Sequence, residues 1–166
     1  MSVRRLASAR SALELGAGLA GLVVLLDQLT KLWAVGALDN PSRVIELLGF
    51  LDLVLVWNRG ISFGLFGSGD AGVWPFVALA VVISIGLGFW LARLRRVLMV
   101  LAVGLILGGA LGNVIDRLVY GAVIDFVDLH AGGWHWPAFN LADAAITVGV
   151  VVLAVDALLN PWKRHR

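Results

Sequence analysis

The residues of this sequence that could do chemistry are carboxylates and carboxamides, and they stand where so apolar a chain has little reason to carry them. Asp27, Asn113, Asp116, Asn140 and Asp143 lie within or at the ends of long apolar stretches, and Asp125 lies just beyond one, between Val123-Ile124 and Phe126-Val127. An ionisable group inside a bilayer costs about 2.5–3.5 kcal/mol on insertion scales, so each unexplained one is a candidate functional group. Two carboxylates within hydrogen-bond reach do not both ionise readily and titrate as a coupled pair. The ionised member can take a proton from water as that water attacks a peptide carbonyl. The protonated member can donate to the carbonyl oxygen and later protonate the leaving amine. Such a reaction requires neither a metal nor a nucleophilic side chain.

The same inventory argues against other chemistries. There is no cysteine, which removes disulfides, thiol nucleophiles and thiolate metal sites together. His130, His135 and His165 show no HExxH-type helical pairing, so a zinc peptidase has little support, and neither metal nor cofactor is expected. The net charge of +2 would by itself suggest a nucleic-acid binder, but nine of the 13 Lys and Arg fall in three short clusters. These are Arg4, Arg5 and Arg10; Arg93, Arg95 and Arg96; and Lys163, Arg164 and Arg166, each flanking a long apolar stretch. That is the pattern of cytoplasmic segment ends, and no nucleic-acid partner is expected.

The elements that must position these groups are membrane helices. With 60% hydrophobic and 14% charged residues, the chain is more apolar than soluble domains, which are about half apolar and a quarter charged. A core of this size could not hide so much apolar surface, so the solvent is lipid and residues 1–166 are expected to form a single membrane domain. A crossing helix takes about 20 apolar residues. Four spans are expected near residues 13–35, 74–92, 97–118 and 139–160. With the basic clusters inside, both termini are cytoplasmic and segments 36–73 and 119–138 face outward. Trp33, Trp74, Trp134 and Trp136 then fall at the outer interface, and Trp90 and Trp162 at the inner one, as an aromatic belt requires. The first span mimics a cleaved signal peptide, but its apolar run is long and carries Asp27, Gln28 and Lys31, so a retained helix is expected. Val44 to Trp57 is rich in strand formers, and the next stretch is punctuated by glycines 60, 64, 67 and 69, which suggests a small β structure on the outer surface.

This topology brings the polar groups to one depth. Asp27 sits about two turns below Trp33, Asn113, Asp116 and Arg117 end the third helix, and Asn140 and Asp143 open the fourth. Asn113 and Asp116 share a face at i, i+3, as do Asn140 and Asp143. Asp27 and Lys31, at i, i+4, can neutralise one another as a structural ion pair. Gly108 and Gly112 allow a neighbouring helix close to the third one. Glu14 and Asp156 lie near the cytoplasmic ends, within reach of water or basic partners. Spacing alone favours Asp116 with Asp143 as the working pair, because the conformation around Asp125 is not readable locally.

Five segments resemble the successive motifs of lipoprotein signal peptidases, in family order across residues 27–143: Asp27-Gln28-Leu29-Thr30-Lys31, Asn58-Arg59-Gly60-Ile61-Ser62-Phe63-Gly64, the run from Gly108 to Arg117, Val123-Ile124-Asp125-Phe126, and Phe139-Asn140-Leu141-Ala142-Asp143. Ser62 stands where that family often has alanine. The resemblance implies an all-α integral membrane protein of four transmembrane helices with a small extracytoplasmic β-cradle and a mobile outer segment over the site. It implies cleavage of prolipoproteins just before a diacylglyceryl-modified cysteine, in the bacterial plasma (inner) membrane, and inhibition by globomycin-type peptides. By motif match, Asp125 and Asp143 become the catalytic dyad and Asp116 an organiser beside it, paired with Arg117. Asn58, Asn113, Asp116, Arg117 and Asn140 support the dyad or line the substrate site, and Asp27 and Lys31 form a polar pair nearer the bundle interior. A monomer is the simplest assembly.

Plainer roles compete with these. Asn113 and Asn140 could simply join helices through hydrogen bonds, Asp116 and Arg117 could mark a helix end, Asn58 could be a turn residue, and Asp143 an acid favoured by a helix N-terminus. Asp128 reads as a solvated loop residue, and His130 and His135 as interfacial ones. A proton-relaying transporter predicts acids spread through the membrane depth and internal symmetry; here the acids cluster at one face without a repeat. A non-catalytic assembly factor predicts that Asp-to-Asn changes at 125 and 143 are tolerated. An intramembrane protease working at mid-bilayer fits less well than a site near the outer interface.

Overall fold

The computed structural model describes residue 6 and residues 8–39, 43–60 and 72–159. Four helices, α1 (Ala9–Leu38), α2 (Trp74–Leu91), α3 (Val97–Tyr120) and α4 (Leu141–Leu159), are joined by four strands, β1 (Ile45–Leu48), β2 (Leu51–Asn58), β3 (Val123–Ala131) and β4 (Trp134–His135). All four helices are long and apolar enough to cross a membrane. α1 begins at Ser8, whose hydroxyl accepts the Ser11 N–H at 3.1 Å, and its 30 residues make it longer than the expected 13–35. At 1.5 Å per residue it is about 45 Å long, more than the roughly 30 Å hydrocarbon core. α4 starts two residues later than expected, at Leu141, because Asn140 caps it; the expected end at Asn160, and Trp162, lie outside the described residues.

α1 and α3 run parallel, and α4 returns antiparallel to α3. The buried side of α1 is one narrow stripe of Ala12, Gly16, Ala20, Val23, Asp27, Lys31, Ala34 and Leu38, spaced by threes and fours as a helix face requires. Its opposite face shows Leu22, Leu25, Leu26, Leu29 and Leu32 outward. Polar groups inside and leucines outside suit a lipid solvent. α3 is the central helix, buried along most of its length, whereas α2 buries only Val77 and Leu91. A Cβ on Gly108 would stand 2.7 Å from the Ala20 carbonyl oxygen, and one on Gly112 would stand 2.5 Å from Asp27 Oδ2. The small residues therefore let α1 approach closely, and at Gly112 they admit a carboxylate.

The strands form one antiparallel sheet in the order β1-β2-β3-β4. Its residues Ile45, Leu53, Leu55, Phe126 and Val127 pack on Ala34 and Leu38 at the C-terminal end of α1, which seats the sheet on one end of the bundle. The β structure expected within Val44–Trp57 is present as β1 and β2. Its partner β3 is not expected from the sequence, and it corrects the reading of Asp128 as a solvated loop residue. Asp128 pairs in register with Asp52 on β2, and its side chain is only 14% exposed. Gly121, with φ +68°, ends α3 in the left-handed conformation, turning the chain directly into β3. Backbone bonds from Phe126 and Val127 to the Phe139 carbonyl, at 3.1 and 2.9 Å, then hold the start of α4 beside β3.

Candidate active site

The site begins with a buried ion cluster. Lys31 Nζ lies 2.8 Å from Asp27 Oδ2 and 2.7 Å from Asp116 Oδ2, and it donates to Asn113 Oδ1 at 3.0 Å. The ammonium has three N–H groups and three acceptors, so it is fully satisfied. Asp27 Oδ1 accepts the Ala142 N–H at 2.9 Å and Asp116 Oδ2 the Ile124 N–H at 3.1 Å, tying α1 and α3 to the first turns of α4 and β3. Asp116 is thus committed to Lys31. Its expected partner Arg117 instead donates to the Asn113 carbonyl at 3.2 Å and lies over the Phe76 ring at 5.4 Å. The guanidinium and the neighbouring carboxylate leave α3 on different sides, since adjacent helix positions diverge by about 100°. Gln28 completes the cluster with bonds to Asp116 Oδ1 at 2.9 Å and Asp27 Oδ2 at 3.2 Å. It is not among the site residues expected from the sequence; its place inside the Asp27–Lys31 motif is the signal that could have found it.

Two amides extend outward from this cluster. Asn113 Nδ2 donates to Asp143 Oδ1 at 2.8 Å, and Asn140 Nδ2 donates to Asp125 Oδ1 at 2.7 Å and reaches Asn113 Oδ1 at 3.3 Å. Asn140 Oδ1 accepts the Asp143 N–H at 2.9 Å, while Asp143 Oδ2 lies 3.4 Å from the Asn140 N–H. This reciprocal pattern is a capping box. It explains why Asn140 and Asp143 are three apart and why the acid sits at a helix N-terminus. Asn58, the last residue of β2, donates from Nδ2 to Asp125 Oδ2 at 2.9 Å and accepts the Gly60 N–H at 2.9 Å. Asp125 and Asp143 are therefore bridged through Asn140 and Asn113, and no direct hydrogen bond joins the two carboxylates.

Asp125 is 1% exposed. Burial pushes its carboxyl up from 3.8 to about 6 against the opposing hydrogen bond from Asn58; the charge of Asp143 adds to the rise, and Asn140 and Lys31 oppose it. Asp143 is half-buried. A groove of about 500 Å³ runs past Asp125, lined by Val56, Trp57, Asn58, Arg59, Pro137 and Ala138. The structure so brings together all the residues singled out from the sequence: Asp27 and Lys31 in the ion cluster with Asp116, Asn113 and Asn140 as the bridge, Asp125 and Asp143 at its ends, and Asn58 and Arg117 beside them. Ser62 lies outside the described residues. Among the described residues, no group of three or more histidines and acids is arranged to hold a metal ion. His130 and His135 instead pair with Asp52 at 3.1 Å and Asp128 at 2.8 Å, about 17 Å along β3 from Asp125.

Fold and site together define a membrane-spanning protein with a buried carboxylate–carboxamide centre under a small sheet. Residues 19–159 match the family model described as signal peptidase (SPase) II. Among curated proteins, the lipoprotein signal peptidase of Methylobacterium sp. (strain 4-46) is 49% identical over 156 residues, 93% of each chain. That of Methylobacterium radiotolerans is 51% identical over 154 residues, 90% of each chain. Two solved structures of a bacterial membrane enzyme, obtained by the in meso method at 2.3 and 1.9 Å resolution, superpose with a TM-score of 0.78 each. They are 27% and 29% identical and cover 100% and 96% of this chain, and 98% and 99% of theirs. The chain belongs to the signal peptidase II family, and is a bacterial membrane peptidase.

Proposed function

We propose that this chain is an aspartyl endopeptidase that removes the signal peptide from diacylglyceryl-modified prolipoproteins, cutting just before the lipid-bearing cysteine. Signal-peptide cleavage from prolipoproteins comes with the family; the dyad and the cut position are inferred. The observation that carries the dyad is the amide bridge. Asn113 and Asn140 each orient one carboxylate and touch each other, while the third acid of the layer, Asp116, is occupied by Lys31. Asp125, buried and readily protonated, donates to the scissile carbonyl oxygen as the tetrahedral intermediate forms. Asp143, more exposed and held by Asn113 at the start of α4, takes the proton of the attacking water. Asp143 passes that proton to the leaving amine as the intermediate collapses, a hydroxyl of the intermediate returns a proton to Asp125, and no covalent enzyme intermediate forms.

The positive-inside pattern supports an inner-membrane orientation with both termini cytoplasmic and the site outward. There a lipid-anchored substrate keeps its acyl chains in the leaflet with the scissile bond in the groove. The working unit is taken as a monomer open to globomycin-type peptides. The test is cleavage of a diacylglyceryl-modified prolipoprotein by the detergent-purified protein, followed as a gel shift. Asp125→Asn and Asp143→Asn, each monodisperse and folded, are expected to lose at least about 100-fold in rate. Asp116→Asn is expected to lose mainly stability. An active Asp125→Asn beside a folded but dead Asp116→Asn would move the dyad to Asp116 and Asp143.

A further inference from the structure

Phe76, on the first turn of α2, belongs to none of the five motifs, yet two arms of the site meet on its ring. The Arg117 guanidinium lies 5.4 Å from the ring centroid. On its other contact, Gly60 comes so close that an added Cβ would stand 2.7 Å from Phe76 Cε2 and 2.8 Å from Cζ. Gly60, at φ +80°, occupies a conformation that also favours glycine. The Gly60 N–H holds the Asn58 amide, and that amide holds Asp125. Arg117 makes no ion pair among the described residues, although the charges of Asp143, Asp116 and Asp125 all act on it. Asp116 is taken by Lys31, but a flexible guanidinium in the field of Asp143 and Asp125 would ordinarily fold onto one of them, because a bidentate pair is its strongest available contact. Instead it bonds the Asn113 carbonyl and lies over an aromatic face.

We propose that Phe76 is a positioning residue of the peptidase, holding the Arg117 guanidinium by a cation–π contact beside the dyad and so keeping it from collapsing onto a catalytic carboxylate. The attraction arises from the ring quadrupole and strengthens where water is excluded. Collapse would place a positive charge directly on Asp125 or Asp143. On Asp125 it would favour the ionised form and deplete the acid; on Asp143 it would weaken the base. The same ring buttresses the Gly60 turn, so its position is over-determined from both sides. The role of Phe76 rests on the assignment of Asp125 and Asp143 as the dyad.

The experiment replaces Phe76 with 3,5-difluoro- and 3,4,5-trifluorophenylalanine, which nearly keep the ring's shape while draining its quadrupole, and with leucine, alone and in an Arg117→Gln background. Cleavage kinetics of the lipid-modified prolipoprotein are the readout, with thermal unfolding in detergent as the control. The expected result is a graded fall in kcat/KM with fluorination, reaching roughly fivefold. Phe76→Leu, which also removes the buttress of the Gly60 turn, should lose at least as much, and fluorination should no longer matter once Arg117 is glutamine. Indifference to fluorination, or fluorination losses that persist undiminished with Arg117→Gln, would overturn the proposal and leave the ring as packing. Should Phe76→Leu fail to fold, the fluorinated rings still decide. Asp125→Asn and Asp143→Asn run in parallel: persistent activity there refutes the dyad, whereas insensitivity to fluorination with both Asp variants dead refutes only the role of Phe76.

Discussion

Asp125 shows how the surroundings of a single carboxyl set its proton affinity. Burial raises its pKa to about 6, while the donated hydrogen bond from Asn58 pulls the other way. An amide N–H stabilises the charged form, so its loss must raise the pKa further. If protonated Asp125 is the acid, kcat/KM falls as pH rises through that value in the free enzyme. Asn58→Ala should then shift the alkaline limb of the profile to higher pH; a limb that stays put or moves lower would argue that another group supplies the proton. The roles of Asn58 and Asp125 are legible only through their motifs, because neither sits on a helix face whose direction spacing reveals. Asn140 and Asp143 are more legible, since their three-residue separation is that of a capping box.

At the scale of elements, the site depends on α1 and α3 being drawn together by buried charge. Lys31 is 1% exposed between Asp27 and Asp116, both 0% exposed. Such a cluster gains little over an apolar packing of equal volume, but breaking it strands whatever charge remains. Lys31→Met should therefore cost about 3–5 kcal/mol of stability by leaving two carboxylates uncompensated, read as earlier thermal unfolding in detergent. Unchanged unfolding would mean that water or a proton replaces the ammonium without penalty. The pairing of Asp27 with Lys31 follows from their i, i+4 spacing on one helix, whereas the bond from Lys31 to Asp116 crosses 85 positions of chain and is invisible to any local pattern.

For the whole molecule, orientation is the property on which substrate access depends. The sheet, the groove and the proposed dyad occupy the end of the bundle where α1 and α3 finish and α2 and α4 begin. The Arg93–Arg96 cluster stands at the opposite end, where Arg96 pairs with Asp156 at 2.6 Å. Because the sequence has no cysteine, single introduced thiols report sidedness without background. A cysteine at Gly132, in the exposed β3–β4 turn, should react with an impermeant maleimide in intact spheroplasts, and one at Ser8 should react only after lysis. The reverse pattern would place the site in the cytoplasm and exclude lipoprotein maturation at the outer face.

The sequence by itself determined that the chain spans the membrane with four helices and that its acids and amides gather in one layer. Both follow from length, composition and a 3.6-residue period, which are properties of neighbouring residues. Only the tertiary structure decided which carboxylates remain available. Asp116 is withdrawn by a lysine from α1. Asp125 is delivered by a strand whose register is set by Val56 on β2 and by the Phe139 bridge to α4. Strand pairing is a non-local choice among partners with near-equal local propensity, so the position of Asp125 exists only once the bundle has closed.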